Sequence, residues 1–441
     1  TYSAMADPTG LKESAMRKEF IMDSKNTTGS KLTVLIVVTV AAVSIGFITG
    51  NQLATESLAE ASVPSPVKAY SPRDAYFPGT EDLGPDEMRI ISLGTAMPFQ
   101  RPAQAAPSFL VELGNGDKFL FDIGTGAAER LAALQIPYDY LDKVFLGHLH
   151  ADHMGDLPAL WVGGTINNRT VPLRIWGPSG SEAQYGTKHA IEGLKEFYNW
   201  DIATRRGAFV ASGQVLEVNE FDYRGDNKVI YNENGVTVRS FPAVHAFDGP
   251  VSFRLDWNGR SFVFSSDTFP NTWFNQYAKD ADVVVHECFV SVENLIERMN
   301  FPVERALLVG AQVHTPPEAF GKVMSIVEPR MAVAYHFIND FDTVNSVYEG
   351  IRTTYDGPLT LAKDMLVWNV TEDKIHVREV VYDENVWTAP IVRQLPIDTS
   401  LRESESEFII GGKADFGDVI QQVYDRINQK YGTDVQPSFG D

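Results

Sequence analysis

An α/β fold is what this sequence predicts, and three observations predict it. Apolar runs of strand length recur, and each closes on a single polar residue: 143–146 before His148, 236–244 before His245, 261–266 before Asp267, and 331–335 before His336. Helix-length segments fall before and between them, over residues 127–134, 157–162 and 186–200. A hairpin is expected around Asn115-Gly116, between runs at 108–112 and 118–122, because Asn-Gly flanked by strand-like runs favours a tight turn. Sites in α/β proteins form outside the carboxyl ends of strands, so these polar strand ends can converge.

The 441 residues leave room for one large domain with extensions, or for two domains. After an N-terminal tail (1–31), residues 32–49 carry no charge and follow Lys25 and Lys31. This is a positive region before an apolar one, the pattern of a signal peptide or membrane anchor. As a helix, 18 residues span about 27 Å, just short of the hydrocarbon thickness of a bilayer. Small residues at Ala59 and Ala61 have the spacing a signal peptidase reads. The expectation is an exported protein, periplasmic or extracellular, secreted or N-terminally anchored, touching membrane only through 32–49. Residues 50–86, rich in Ala, Ser, Pro and acids, read as a linker. The catalytic domain is expected over 87–381. The extension at 382–441 holds an acidic stretch at 402–407 and an amphipathic helix at 416–430. Such a tail packs either on its own domain or on a second subunit, which would make a homodimer.

Hydrophobic residues make up 44% of the chain, enough for a full core, and the formal net charge is −21. That acidity disfavours a polyanionic partner, and Arg205-Arg206 is only a basic pair, so no nucleic acid is expected. The single cysteine, Cys288, excludes an internal disulfide and a cysteine-based zinc cluster. It reads as a small buried residue at a strand end rather than a nucleophile.

The densest chemistry is His148-Leu149-His150-Ala151-Asp152-His153. Alternate side chains of an extended segment point the same way, so His148 and His150 can share one metal. A turn into a helix after them carries Asp152 and His153 to a neighbouring position, where they can serve a second ion. Imidazole nitrogen and carboxylate oxygen suit a borderline divalent metal such as zinc. His189, at no strand end, reads as a surface or capping residue.

The HxHxDH pattern resembles the signature of the metallo-β-lactamase-fold hydrolases. The resemblance implies an αββα sandwich of two mixed sheets flanked by helices, with a one- or two-metal site at the edge between the sheets. Carried over by match, His148, His150 and His245 would hold one metal, Asp152, His153 and His336 the other, and Asp267 would bridge them. No ligand position is missing, which implies two divalent ions, zinc first among them. In the family an Asp at the place of Asp122 holds the metal loop; as a plain residue it would equally serve as a helix N-cap. His286-Glu287-Cys288 followed by His314-Thr315 is similar to the branch containing tRNase Z and bacterial arylsulfatases. That likeness implies His286 as general acid, with Glu287 as its orienter or as a structural acceptor, and His314 in a supporting or capping role. The stretch from 94 to 381, with GTAMPFQRP, LGHLHADHMGDLPALW and MAVAYHFINDFD, looks like the guanitoxin-biosynthesis-type metallo-hydrolases.

Two departures matter. No basic, Gly/Pro-rich arm of the kind that grips tRNA is visible, and the chain is acidic. Ribonuclease activity is therefore not carried over. The expected activity is that of an exported dinuclear zinc hydrolase acting on a small ester: a phosphodiester, sulfate ester or lactone. A metal-bridged hydroxide held by Asp152 would attack, and His286 would protonate the leaving oxygen. The alternative is an exported metal-binding or scaffold protein of the same fold without catalysis.

Overall fold

The computed structural model describes residues 75–99, 101–387 and 398–437. The N-terminal tail, the apolar segment 32–49 and the small residues near Ala59 lie outside the described residues. Among the described residues no helix is long and apolar enough to cross a membrane.

The chain runs through β1 (Ala75–Tyr76), β2 (Met88–Gly94), β3 (Ser108–Leu113), β4 (Lys118–Phe121), β5 (Lys143–Phe145), β6 (Leu173–Pro178) and β7 (Leu216–Phe221). It then crosses to a second sheet through β8 (Lys228–Glu233), β9 (Val236–Pro242), β10 (Val251–Trp257), β11 (Arg260–Phe264), β12 (Val283–Glu287), β13 (Met331–Tyr335) and β14 (Leu359–Leu361). Finally β15 (Leu366–Val370) and β16 (Ile375–Val380) return to the first sheet. The strand orders are β1-β16-β15-β2-β3-β4-β5-β6-β7 and β14-β13-β12-β11-β10-β9-β8. Both sheets are mixed. The hairpins β2–β3–β4 and β8–β9–β10–β11 are antiparallel, whereas β4 to β7 and β11 to β14 pair in parallel.

The two sheets close on an aromatic layer. Phe121 stacks on Phe145 at 5.3 Å and Phe145 on Trp176 at 4.8 Å, while Phe253, Phe262 and Phe264 meet Phe121 from the opposite sheet. Every residue of β2, β3 and β12 is buried, because each of these strands is covered on both faces. Helices α1 (Ala127–Ala133), α2 (Ala151–Met154), α3 (Leu157–Ile166) and α4 (Thr187–Phe197) follow strands of the first sheet. Leu131, Leu157, Leu160 and Ile191 share one apolar cluster with Leu110, Leu120 and Val144 of that sheet. Helices α5 (Thr272–Tyr277), α6 (Pro317–Val327) and α7 (Phe341–Arg352) cover the second sheet through Phe274, Phe320, Met324 and Val347. The order helix, sheet, sheet, helix is the expected αββα sandwich.

The domain starts earlier than the composition suggested. Tyr76 lies in β1, pairs with β16, and is buried under the guanidinium of Arg89 at 4.3 Å from its ring. A two-residue strand in a Pro-rich stretch has too few positions to show a period, so the segment read as linker. At the other end, α8 (Gly417–Tyr431) falls where the amphipathic helix was expected, but none of its residues is buried.

Candidate metal centre

Strands β9, β11, β12 and β13 run in one direction, so their carboxyl ends open on one rim. The loop after β5 faces that rim. His148, His150, Asp152 and His153 come from this loop and α2, and His245, Asp267 and His336 follow β9, β11 and β13. The backbone is forced into the left-handed region at Asp122 (φ 55), Ser266 (φ 50) and His336 (φ 71). Non-glycine residues there carry strain of order 1–3 kcal/mol each, which the surrounding structure must hold. Gly124 lets α2 approach: a Cβ on it would lie 2.0 Å from the carbonyl oxygen of Asp152. Gly147 does the same for Ser266, whose side chain would meet a Cβ at 2.3 Å.

Seven side chains form two groups that share Asp267. In the first, His150 Nδ1 lies 3.0 Å from His148 Nε2 and 3.3 Å from His245 Nε2. Asp267 Oδ2 is 3.9 Å and 3.8 Å from the same two Nε2 atoms. In the second, His153 Nε2 lies 3.2 Å from Asp267 Oδ1 and 3.5 Å from Asp152 Oδ2, and His336 Nε2 lies 3.4 Å from both oxygens. Ligands about 2.1 Å from a tetrahedral centre have edges of about 3.4 Å. Both groups have edges of that size. His153 Nε2 and Asp267 Oδ1 are buried without a hydrogen-bond partner, which a cation between them would supply. The residues therefore fit divalent metal.

Hydrogen bonds on the far side of the rings set which nitrogen is free. Asp122 Oδ2 accepts from His153 Nδ1 at 2.7 Å and from the Ser266 hydroxyl at 3.2 Å, and Asp122 Oδ1 accepts from the Gly147 N–H at 2.8 Å. Ser266 Oγ in turn is 3.0 Å from His148 Nδ1. A serine that donates to Asp122 can only accept from His148. This leaves Nε2 of both imidazoles with a lone pair directed at the centre. His245 Nδ1 donates to the carbonyl of Val313 at 3.2 Å, with the same result. Asp122 thus ties Gly147, His153 and Ser266 together. The N-terminus of α1 is served instead by Asp156, whose Oδ2 accepts from Gly126 and Ala128.

Charge is balanced tightly. Burial would lower the His153 imidazole, but Asp267, Asp152 and Asp122 push it well above its usual value. Burial would raise Asp267, but His153 and His336 hold it well below the usual carboxylate range. The cluster therefore draws positive charge to its centre.

Neighbours on β12 meet opposite fates. Glu287 faces the site: its Oε1 accepts from the Thr268 N–H and its Oε2 from His314 Nδ1 at 2.9 Å. His286 faces the helical layer. Its ring packs edge-on at 4.5 Å from Phe274 and 5.8 Å from Phe320, its Nδ1 is 2.6 Å from the Glu287 carbonyl, and burial lowers its pKa to about 4. Successive residues of a strand point to opposite faces, and β12 extends through Glu287. The general-acid expectation for His286 is corrected on this ground. Glu287 orients His314 instead.

His314 was expected to support or cap. It follows a wide helical turn at Val309–Val313, and its ring stacks flat on Phe289 at 4.1 Å with 4° between the planes. Its centroid lies 4.8 Å from His245 and 5.3 Å from His336, one ligand from each group. The phrase His-Thr-Pro was the available signal, since Thr315 donates to the Thr268 carbonyl and fixes this turn beside Asp267. Glu287, His314 and His336 also group with Asp267, but both Glu287 oxygens already accept hydrogen bonds, so this third set is not an open ligand shell. His189 is exposed on α4, and Cys288 is buried.

A family model described as anti-Pycsar protein Apyc1 matches residues 88–297, which include every site residue up to Glu287 but neither His314 nor His336. Ribonuclease Z of Mycobacterium marinum is 30% identical over 224 residues, covering 49% of this chain and 75% of that protein. Ribonuclease Z of Mycobacterium bovis is 32% identical over 205 residues, covering 45% and 69% respectively. Among solved structures, the metallo-β-lactamase fold protein YhfI from Bacillus subtilis has a TM-score of 0.48 at 17% identity, covering 65% of this chain and 100% of that one. The relatives named ribonuclease Z overturn the expectation that nucleic acid is excluded. Net charge was the wrong guide. Charges more than about 8 Å apart are largely screened at physiological salt, whereas divalent metal held by these residues would present positive charge at contact distance.

Proposed function

We propose that this chain, which belongs to the ribonuclease Z family of metallo-β-lactamase-fold enzymes, is a two-zinc phosphodiesterase acting on a nucleotide-containing substrate. It is a metal-dependent hydrolase of that superfamily, acting on phosphoester bonds. The observation that carries this proposal is the pair of four-residue donor groups joined at Asp267.

Bound metals would lower the pKa of a coordinated water towards neutrality and offset charge on the attacked phosphorus. His148, His150 and His245 would hold one ion, and Asp152, His153 and His336 the other, with one Asp267 oxygen directed at each. Asp122 and Ser266 keep the ligand tautomers. Asp152, only part-buried, is the ligand placed to orient the attacking water. His314 lies between the two groups, and its Nδ1 is held by Glu287, so its other nitrogen is available to protonate a leaving oxygen. Burial lowers the His314 pKa and raises that of Glu287.

The test is hydrolysis of bis(p-nitrophenyl) phosphate beside p-nitrophenyl acetate by zinc-loaded protein. Diester cleavage that is lost on chelation and restored by zinc is expected. Preference for the acetate would overturn the phosphodiester reading. We also propose that the enzyme works outside the cytoplasm, which the uncharged run 32–49 behind Lys25 and Lys31 supports. The protein is expected outside the cytosolic fraction; a mature N-terminus near residue 60 would decide for cleavage over anchoring, and intact, soluble protein in the cytosol would contradict the proposal.

A further inference from the structure

We infer that the corner formed by Tyr185 and Phe247 is a nucleobase-binding subsite of this enzyme. The inference rests on the phosphodiesterase reading and adds what selects the substrate. A cleft of about 310 Å³ opens beside the first donor group, with His148, His150 and His245 among its lining residues and Tyr185 and Phe247 at its edge. That volume is within the range of small-ligand sites. The two aromatic rings meet edge to face, with centroids 5.6 Å apart and planes at 79°. Both are exposed, Tyr185 by 48% and Phe247 by 60%, so neither is spent on the core.

Two large aromatic side chains left open to water at the edge of a catalytic cleft call for a planar apolar partner. A base lying flat on one ring presents its edge to the other, the arrangement the corner offers. No Lys or Arg lines this cleft, so it recruits an uncharged planar group rather than a second phosphate. Arg224 lines an adjoining cleft that shares the 245–249 loop, Phe247 included. The backbone supports a built subsite. Phe247 follows Ala246, which is held in the left-handed region at φ 47, and precedes Gly249 at φ 142. A non-glycine residue in that region indicates a loop held in place by its surroundings. The same loop carries His245, so the aromatic face and a metal ligand are set by one backbone conformation. A nucleotide whose phosphodiester lies at the metal centre would thus rest its base two residues from a ligand.

The experiment compares two diesters with the same leaving group, thymidine 5′-(p-nitrophenyl) phosphate and ethyl p-nitrophenyl phosphate. Stacking one base on one aromatic ring is worth about ten- to a hundredfold in binding. Phe247→Ala and Tyr185→Ala should raise KM for the thymidine diester by a factor in that range, with kcat little changed. Both should leave the ethyl diester at the parent rate, and Phe247→Trp should restore the thymidine diester. In parallel, calorimetric titration should show adenosine 5′-monophosphate binding more tightly than ribose 5-phosphate, with the gap closing in Phe247→Ala. Equal losses on both diesters, or no loss on either, would overturn the subsite. If the parent cleaves neither diester, the phosphodiesterase reading fails, and the titration alone decides the subsite: no gap in the parent rejects it.

Discussion

The two donor groups sit at different depths, and the difference separates two tasks. In the deep group His153 and His336 are fully buried, and Asp122, itself buried, grips the back of His153. In the open group His150 is exposed, His148 is reached by Asp122 only through Ser266, and the aromatic cleft begins beside both. Charge and geometry are set where water is excluded and electrostatic interactions are strong. Substrate selection takes place at the mouth, where a ligand can enter. Asp267 ties the two, with Oδ1 towards the deep group and Oδ2 towards the open one.

The largest effect is expected at that tie. Asp267→Ala removes an oxygen from each group, so diester hydrolysis should fall by several orders of magnitude, whereas His189→Ala on the exposed face of α4 should leave it unchanged. Comparable kcat/KM values for the two variants would break the idea of a shared centre. Next comes the proton donor. His314→Ala should lose about two to four orders of magnitude on an alkoxide-leaving diester, the usual worth of general acid catalysis, and little on a nitrophenolate-leaving one. Parallel leaving-group dependences in parent and variant would remove His314 from that role.

A smaller effect sharpens the contrast of depth. Asp122→Asn keeps the shape and removes the charge. Loss of such a support weakens metal affinity by about 10- to 100-fold. The deep ion, whose His153 touches Asp122, should be lost first in a graded chelator titration, and simultaneous loss of both ions would mean the two groups are supported alike. The smallest effect on catalysis is expected from His286→Leu. It should lower stability by about 0.5–3 kcal/mol, as core substitutions do, and leave the leaving-group dependence unchanged. A changed dependence would return His286 to the reaction.

Much of the centre was legible because each ligand ends a strand or follows one within a short motif. His148 to His153 show both spacing and residue type, and His245, Asp267 and His336 each close an apolar run. What was hidden has physical causes. The choice between His286 and Glu287 depends on where β12 ends, and a one-residue shift exchanges the two faces of a strand. His314 is placed by a wide helical turn with no periodic signal. Tyr185 closes a short 3-10 turn and Phe247 lies in a loop 62 positions further on, the separation of their numbers in the chain, and only the fold brings their rings together. The two-residue strand β1 was too short to carry a pattern, so the start of the domain was misplaced.

A two-metal centre joined by one carboxylate fixes the metal content of the chain. Elemental analysis of folded protein measures it directly, on the parent and on Asp267→Ala in parallel. About two zinc equivalents per chain are expected in the parent, as a shared two-metal site requires, with loss of metal from both groups in the variant. One equivalent or none in the folded parent, or two retained by Asp267→Ala, would contradict it.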